Sequence, residues 1–264
     1  MKYRIVIVNY GKGMSILGLL DQLSRQTLLP DSVCIIDNSP MVAALPRDIS
    51  WSAYPFSVEV RYAPENLGYS KACNLGARGD DWEWLALVNP DIEIGSADLF
   101  SDLIARCSKI PRLGCAGVAQ RNPDDSYELV ARRFPTICAI LGKRIPFLGK
   151  HVFKRAVETY LDSYVNEFSH DAAPLQVDWL QSSFLLIPRS SWQACDGLSE
   201  RYFVFMADTD FGLRCRAHGL GSWFFPDFEV CADGIRSSHG GLVDVFRRRT
   251  IRIHLLDAAK YFLG

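Results

Sequence analysis

Four short β-branched or apolar runs each stop at a polar turn, with helix-like spacing between them, and this alternation constrains the fold more than any other feature. Arg4–Val8 stops at Asn9-Tyr10-Gly11, and Ser32–Ile36 stops at Asp37-Asn38-Ser39-Pro40. Val58–Tyr62 leads into Asn66-Leu67-Gly68, and Trp84–Val88 ends in Asn89-Pro90-Asp91. Met14, Leu17, Leu19, Leu20 and Leu23 recur at roughly helical spacing between the first two runs, and Ser70–Arg78 reads as a helix before the fourth. Strand–helix–strand forces a parallel crossover. Its repetition predicts an α/β fold: a Rossmann-like, mostly parallel central sheet flanked by helices. Ligands of such sheets bind beyond the carboxyl ends of the strands. Those ends carry Asn9, Asp37, Asn66, Asn89 and Asp91. Turn formation alone explains any one of them; together they mark a site.

The length of 264 residues fits one domain with an elaborated second half. A net charge of −1 argues against a nucleic-acid partner. The eight cysteines include no C-x-x-C pair, and several lie in apolar strings such as Val33-Cys34-Ile35, so they read as buried thiols of a reducing compartment. The N-terminus enters a strand almost at once, leaving no room for a signal peptide. No apolar run approaches the ~20 residues of a spanning helix. The expectation is a cytoplasmic protein.

The second half begins with a change of character. Across Arg132–Arg155, basic residues interleave with Ile137, Ile140, Leu141, Phe147, Leu148 and Phe153, while Gly142, Pro146 and Gly149 interrupt any long helix. Strand-like runs follow at Val177–Leu180, Phe184–Ile187 and Trp223–Phe225, with a helix starting near Ala207-Asp208. Asp244–Leu263 reads as a helix whose basic face carries Arg247, Arg248, Arg249 and Arg252. Basic and apolar residues interleaved in this way suit peripheral contact with an anionic membrane at Arg132–Arg155 and Arg247–Arg252. A solvated basic face above a packed apolar one explains the pattern equally well.

Acids at three places stand out. Asp37, just after a buried strand, suits a base or ribose contact, or an Asx turn. Asp91, at the mouth of the sheet, suits a hard divalent cation, which needs only one or two protein carboxylates when phosphates supply the rest; a Pro-Asp turn is the bland alternative. Asp208 and Asp210 lie where a helix opens, so they either complement its dipole or, in the case of Asp208, accept a proton from an acceptor hydroxyl. Arg214 can pair with a diphosphate or with one of these acids.

The order of Val6-Ile7-Val8-Asn9-Tyr10, Ile36-Asp37-Asn38-Ser39, Glu65-Asn66-Leu67-Gly68-Tyr69, Asn74-Leu75-Gly76, Leu87-Val88-Asn89-Pro90-Asp91, Val177-Asp178-Trp179-Leu180 and Ala207-Asp208-Thr209-Asp210 resembles that of family 2 glycosyltransferases. The rhamnosyltransferase-like branch, with Asn-Pro-Asp in place of Asp-x-Asp, is the nearest match. The resemblance spans roughly residues 3–240. It implies a GT-A fold with a smaller acceptor-side subregion, a nucleotide-diphosphate sugar donor, Mg²⁺ or Mn²⁺, and inversion in a single displacement. It further implies Asp37 at the base, Asp91 at metal and diphosphate, Asn89 beside it, and Asp208 as catalytic base. Asn66, Gly68 and Asn74 resemble the segment that closes over the nucleotide, with Asn9, Asn38 and Arg214 on the donor side and Trp179 and Asp210 on the acceptor side. On this reading residues 1–125 bind donor, 126–240 carry the acceptor and base, and 241–264 form a C-terminal basic helix. The expected partner is a glycan or lipid-linked glycan in bacterial surface polysaccharide synthesis, at the inner face of the cytoplasmic membrane.

The chain departs from the family pattern at three places. Ala207 replaces the usual Glu, Ser199 replaces an acid, and Cys231-Ala232-Asp233 stands where relatives have a histidine. The candidates for a second metal ligand are His239, for which a surface-loop role is the bland alternative, and Asp233. The best donor expectation is dTDP-L-rhamnose, with UDP-hexose or UDP-galactofuranose as alternatives. A catalytically silent binding protein on the same fold is the competing class. The absence of a G-x-G-x-x-G after the first strand argues against a dinucleotide dehydrogenase.

Overall fold

The computed structural model describes residues 1–41, 44–79, 81–161, 173–233 and 249–263. β1 (Tyr3–Asn9) runs parallel to β2 (Ser32–Asp37) from Arg4 opposite Ser32 to Asn9 opposite Asp37, so the two polar termini are side by side. β3 (Ser57–Tyr62) adds beyond β2, and β4 (Trp84–Val88) pairs with the other edge of β1, both parallel. The crossover helices α1 (Gly13–Leu23) and α2 (Tyr69–Gly76) lie where the apolar spacing places them.

The elements that the sequence does not announce include α3 (Leu99–Cys107) and the central strand β5 (Leu113–Arg121). The sequence of β5, Leu-Gly-Cys-Ala-Gly-Val-Ala-Gln-Arg, is poor in β-branched residues. It is buried along nearly its whole length, so small residues fit where helices press on the sheet.

The eight-stranded sheet has the order β3-β2-β1-β4-β9-β5-β10-β7. β9 (Phe184–Pro188) is antiparallel to both β4 and β5; β10 (Gly221–Cys231) is parallel to β5, and β7 (Leu175–Val177) is an antiparallel edge. The predicted strand Val177–Leu180 is in fact split. Its second part, β8 (Trp179–Leu180), leaves the main sheet and pairs with β6 (Ala131–Arg132). Asp178 holds the corner by accepting the Phe134 N–H at 2.9 Å. The predicted Trp223–Phe225 strand extends to eleven residues, with a register shift between Phe225 and Glu229.

Within Arg132–Arg155 the helix breaks fall where Gly and Pro put them, giving α4 (Ile137–Arg144), α5 (Pro146–His151) and α6 (Lys154–Leu161). α7 (Arg189–Ala194) and α8 (Ala207–Ala217) follow. The C-terminal helix α9 covers Arg249–Leu263; residues 244–248 of the predicted helix, with Arg247 and Arg248, are outside the described residues.

Alternation along the strands feeds two cores. Ile5, Ile7, Val33 and Ile35 pack with Leu19, Leu20, Leu23, Phe100 and Leu103 of α1 and α3. Val6, Cys34, Ile36, Leu85 and Leu87 pack with Ala72, Trp192, Phe211 and Cys215 of α2, α7 and α8. Seven of the eight thiols are buried or half-buried and all are unpaired; Cys138 is exposed.

Candidate active site

The corner where β1 and β2 end is closed by its own hydrogen bonds. Asn9 Nδ2 donates to Asp37 Oδ1 at 3.0 Å and to Ser39 Oγ at 3.1 Å, while Asn9 Oδ1 accepts the Lys12 N–H at 2.9 Å. Asp37 also accepts the N–H groups of Ser39 (3.0 Å) and Leu45 (2.6 Å). At 2% exposure it has an Asx turn on one oxygen and the following loop on the other. Asn38 clamps the next strand end, donating to Gly68 O at 3.0 Å and accepting from Leu67 N at 3.3 Å. Asn66 accepts the Gly68 N–H at 2.9 Å. Gly68 has φ of +78°, and a Cβ there would drive into the Phe203 carbonyl and ring, so only glycine fits. Asn74 grips the turn before Ser199: Nδ2 reaches Leu198 O at 2.7 Å, and Oδ1 accepts Leu198 N at 2.9 Å. These amides thus hold loops in place.

The end of β4 is different. Asn89 donates its backbone N–H to Ser183 O at 2.8 Å, and no hydrogen bond to its half-buried side chain is seen among the described residues. Asp91 is 3.0 Å from Lys12 Nζ, which is also 2.5 Å from Asp233. A bridge between Glu93 and Cys231 brings the two carboxylates together, each residue donating its N–H to the other's carbonyl at 2.9 Å. Burial pushes the Asp91 carboxyl up, against the opposing pull of Lys12. Burial disfavours the Lys12 ammonium, but the hydrogen bonds and charges of Asp233 and Asp91 outweigh it and hold its pKa above the usual lysine value. Asp91 and Asp233 form an all-oxygen pair of the kind a hard divalent ion takes alongside phosphates. No group of three or more His, Cys, Asp or Glu that could hold a metal occurs among the described residues. His239, the other candidate ligand, is outside them.

Asp208 sits in the first turn of α8, where Oδ1 accepts its neighbour's N–H (Thr209, 2.9 Å) and Oδ2 that of Ser182 (3.3 Å). Burial raises its pKa; the two N–H groups and the Arg132 guanidinium oppose that. The preceding Met206 has φ of +65°, a left-handed conformation that is costly for a non-glycine residue. Asp257 of α9 holds that loop: at 1% exposure, its carboxylate accepts the N–H groups of Phe203, Val204 and Phe205 at 3.0–3.2 Å.

Three more of the expected site residues have partners within the protein. Arg214 pairs with Asp210 at 2.7 Å, the acid-pairing alternative, and donates to the carbonyls of Cys195 and Gly197, while its Nη2 is buried without a hydrogen-bond partner. Asp210 accepts from Arg214 on one oxygen and from Tyr202 on the other. Trp179 is 5% exposed, packs against Ala139 and Tyr160, and donates to Arg133 O at 2.8 Å. Lys12, Arg132 and Ser182 drew no notice as site residues. For Lys12 the sequence did offer a sign: a lone cation in the turn of one strand end, in a fold that gathers acids at the others.

A continuous path of bonds joins the three acids. Asp37 binds Asn9, Asn9 binds the Lys12 backbone, and the Lys12 side chain binds Asp91. Two residues before Asp91, Asn89 binds Ser183, whose neighbour Ser182 binds Asp208. Two surface depressions, one lined by Asp178, Arg216 and Ser222 and one by Phe203, Leu256 and Lys260, do not contain these acids.

Residues 4–162 match the sequence profile described as Glycosyl transferase family 2. The chain belongs to that family. It is 32% identical over 248 residues to N-acetylglucosaminyl-diphospho-decaprenol L-rhamnosyltransferase of Mycobacterium tuberculosis (strain CDC 1551 / Oshkosh), covering 86% of this chain and 74% of that protein; the protein of strain ATCC 25618 / H37Rv matches equally. Among solved structures, GalNAc-T7 with UDP, GalNAc and Mn²⁺ superposes with a TM-score of 0.64 at 14% identity, covering 96% of this chain and 48% of that one. The mannosyltransferase PcManGT from Pyrobaculum calidifontis, with GDP-Man and Mn²⁺, gives 0.59 at 12%, covering 100% and 64%. S. aureus TarS 1–349 with UDP-GlcNAc gives 0.57 at 12%, covering 90% and 60%. This chain spans less than two thirds of each solved chain, and such identities establish only the shared GT-A fold. The family 2 glycosyltransferase is an enzyme that moves a sugar from an activated donor. Among the described residues, no helix is long and apolar enough to cross a membrane.

Proposed function

We propose that this glycosyltransferase moves L-rhamnose from dTDP-L-rhamnose to a hydroxyl of a lipid-linked glycan, inverting the anomeric centre. The observation that carries the mechanism is the tie of Asp208 to Ser182, next to the Ser183 carbonyl that anchors Asn89 of the Asn-Pro-Asp sequence. It joins a candidate base to a candidate diphosphate site. The choice of rhamnose and of a lipid-linked acceptor rests on the mycobacterial relative; fold alone does not select a donor, since the solved neighbours are bound to different nucleotides.

Asp208 accepts the proton of the acceptor hydroxyl as that oxygen attacks C1. The C1–O bond to the diphosphate breaks on the opposite face, with no covalent enzyme intermediate. The Ser182 and Thr209 N–H groups fix the carboxylate, and its raised pKa strengthens it as a base. Asp91 and Asp233 are the residues to hold a divalent ion, whose chemistry is to offset charge on the leaving diphosphate. Asp37, through its Asn9 and Leu45 bonds, shapes the nucleotide corner; its remaining lone pair is the one available to a base N–H. Residues 1–125 form the donor half and 126–240 the acceptor half.

Peripheral membrane contact has specific support. Ile137, Leu141, Phe147 and Val152 are 41–68% exposed on α4, α5 and the residue after α5, among Lys143, Lys150 and Lys154. Ile140, on the inner side of α4, packs on Met206 and Ala207 beside Asp208. A membrane seat there would present a lipid-linked acceptor near the base.

The test is a melting-temperature screen of dTDP-L-rhamnose, UDP-hexoses and UDP-galactofuranose with Mg²⁺ or Mn²⁺, followed by transfer assays on the stabilising donor. dTDP-L-rhamnose is expected to raise the melting temperature and support turnover. Stabilisation by a UDP-sugar alone would reassign the donor. Donor binding without transfer or hydrolysis would favour a silent homologue.

A further inference from the structure

The Lys12 side chain sits where the donor-site reading would put a metal ion. Its ammonium lies 3.0 Å from Asp91 and 2.5 Å from Asp233, both on strand-end segments facing the same rim. Its own backbone is tied down, because its N–H donates to Asn9 Oδ1, the amide that also binds Asp37. The cation is therefore delivered by a fixed turn, with only its side chain free to swing. It is half-buried at 34% side-chain exposure, against 17% for Asp91 and 31% for Asp233.

Asp91, Asp233 and Lys12 taken as three groups carry a net charge of −1, and the two carboxylates repel each other once this ammonium leaves. A divalent ion neutralises both. Lys12, however, is tethered, and a tethered group competes at an effective concentration on the order of millimolar. We propose that Lys12 is a built-in counter-cation that occupies the position between Asp91 and Asp233 and that a divalent ion must displace. The displaced ammonium then becomes a cation available to the donor's diphosphate. Metal alone binds weakly on this account, and the exchange of Lys12 from carboxylates to phosphates couples metal loading to donor loading. The inference rests on the donor-site reading of Asp91, and it adds Lys12 to that reading as the residue that sets metal affinity.

Manganese binding to the full chain, followed by the loss of the free Mn²⁺ paramagnetic resonance signal without nucleotide, tests it directly. Lys12→Met keeps the stem and removes the charge. It is expected to tighten Mn²⁺ binding by at least tenfold, and Asp233→Asn added to it should cancel the gain. Unchanged or weaker binding in Lys12→Met would overturn the proposal. Should that variant fold poorly, the wild type supplies its own test. Acylation of Lys12 by an amine-reactive reagent, measured by mass spectrometry against exposed Lys150, should rise as Mn²⁺ is added. A flat response would count against displacement. Absence of Mn²⁺ binding to both proteins would overturn the metal reading itself, whereas unaltered Mn²⁺ affinity beside an intact donor-induced melting shift would sink the Lys12 role alone.

Discussion

The ends of β1 and β2 and the rim formed by the end of β4 with the start of α8 both collect carboxylates, yet they treat them in opposite ways. Asp37 is enclosed by three protein donors and Asn38 by two backbone groups, so the first corner is nearly satisfied before any ligand arrives, with a single Asp37 lone pair left over. Asp208 has only two backbone N–H groups and a pKa pushed up by burial, while Asp91 leans on a side-chain cation able to swing away. A polar residue at a strand end therefore does not by itself mark chemistry. The mark is bonding capacity left unspent.

The sharpest way to break this contrast is Asp208→Asn. We expect turnover to fall ~10³-fold at saturating donor, with donor KM within about threefold. Because burial raises the folded-state pKa, the stability linked to protonated Asp208 is full below the ordinary carboxylate range and is lost as pH rises through the raised value. The variant should then melt at or above wild type at neutral pH, by differential scanning calorimetry. Near wild-type turnover would remove Asp208 as the base. The acidic limb of wild-type kcat/KM should also lie above the ordinary aspartate range.

Asp257→Ala leaves three backbone N–H groups of the 203–205 loop without their acceptor. A loss of about 3 kcal/mol is expected by denaturant titration, together with lower kcat, since the loop leads into Met206 and Asp208. Full activity in a destabilised variant would uncouple α9 from the site. Asp37→Asn should cost about 2 kcal/mol, because an amide offers one acceptor oxygen to three donors. A large rise in donor KM with an unchanged melting temperature would instead make Asp37 an open contact and erase the contrast. Trp179→Phe should cost only about 1 kcal/mol, for the bond to Arg133, and leave acceptor KM unchanged; a raised acceptor KM would return Trp179 to the acceptor side.

Much of this was legible along the chain. The β-branched runs and the leucine spacing of α1 name the first half of the sheet, since adjacent residues decide those elements. β5 was hidden because its small residues answer to the helices pressing on it. Val177–Leu180 was read as one strand because nothing local announces that Asp178 turns the chain into a second sheet. In the site, Asp91 and Asp208 were visible as acids after strands and before helices. Asp210 and Arg214 looked the same, and only their mutual ion pair, four residues apart on α8, separates them.

Sequence by itself therefore determined the alternation, the parallel direction of the first four strands and the acids at their ends, because periodicity and turn chemistry are short-range. Tertiary structure decided which acids are spent and which are held in reserve. That outcome depends on partners such as Lys12 with Asp233, or Phe203 with Asp257, which lie 221 and 54 residues apart and meet only when the sheet is assembled.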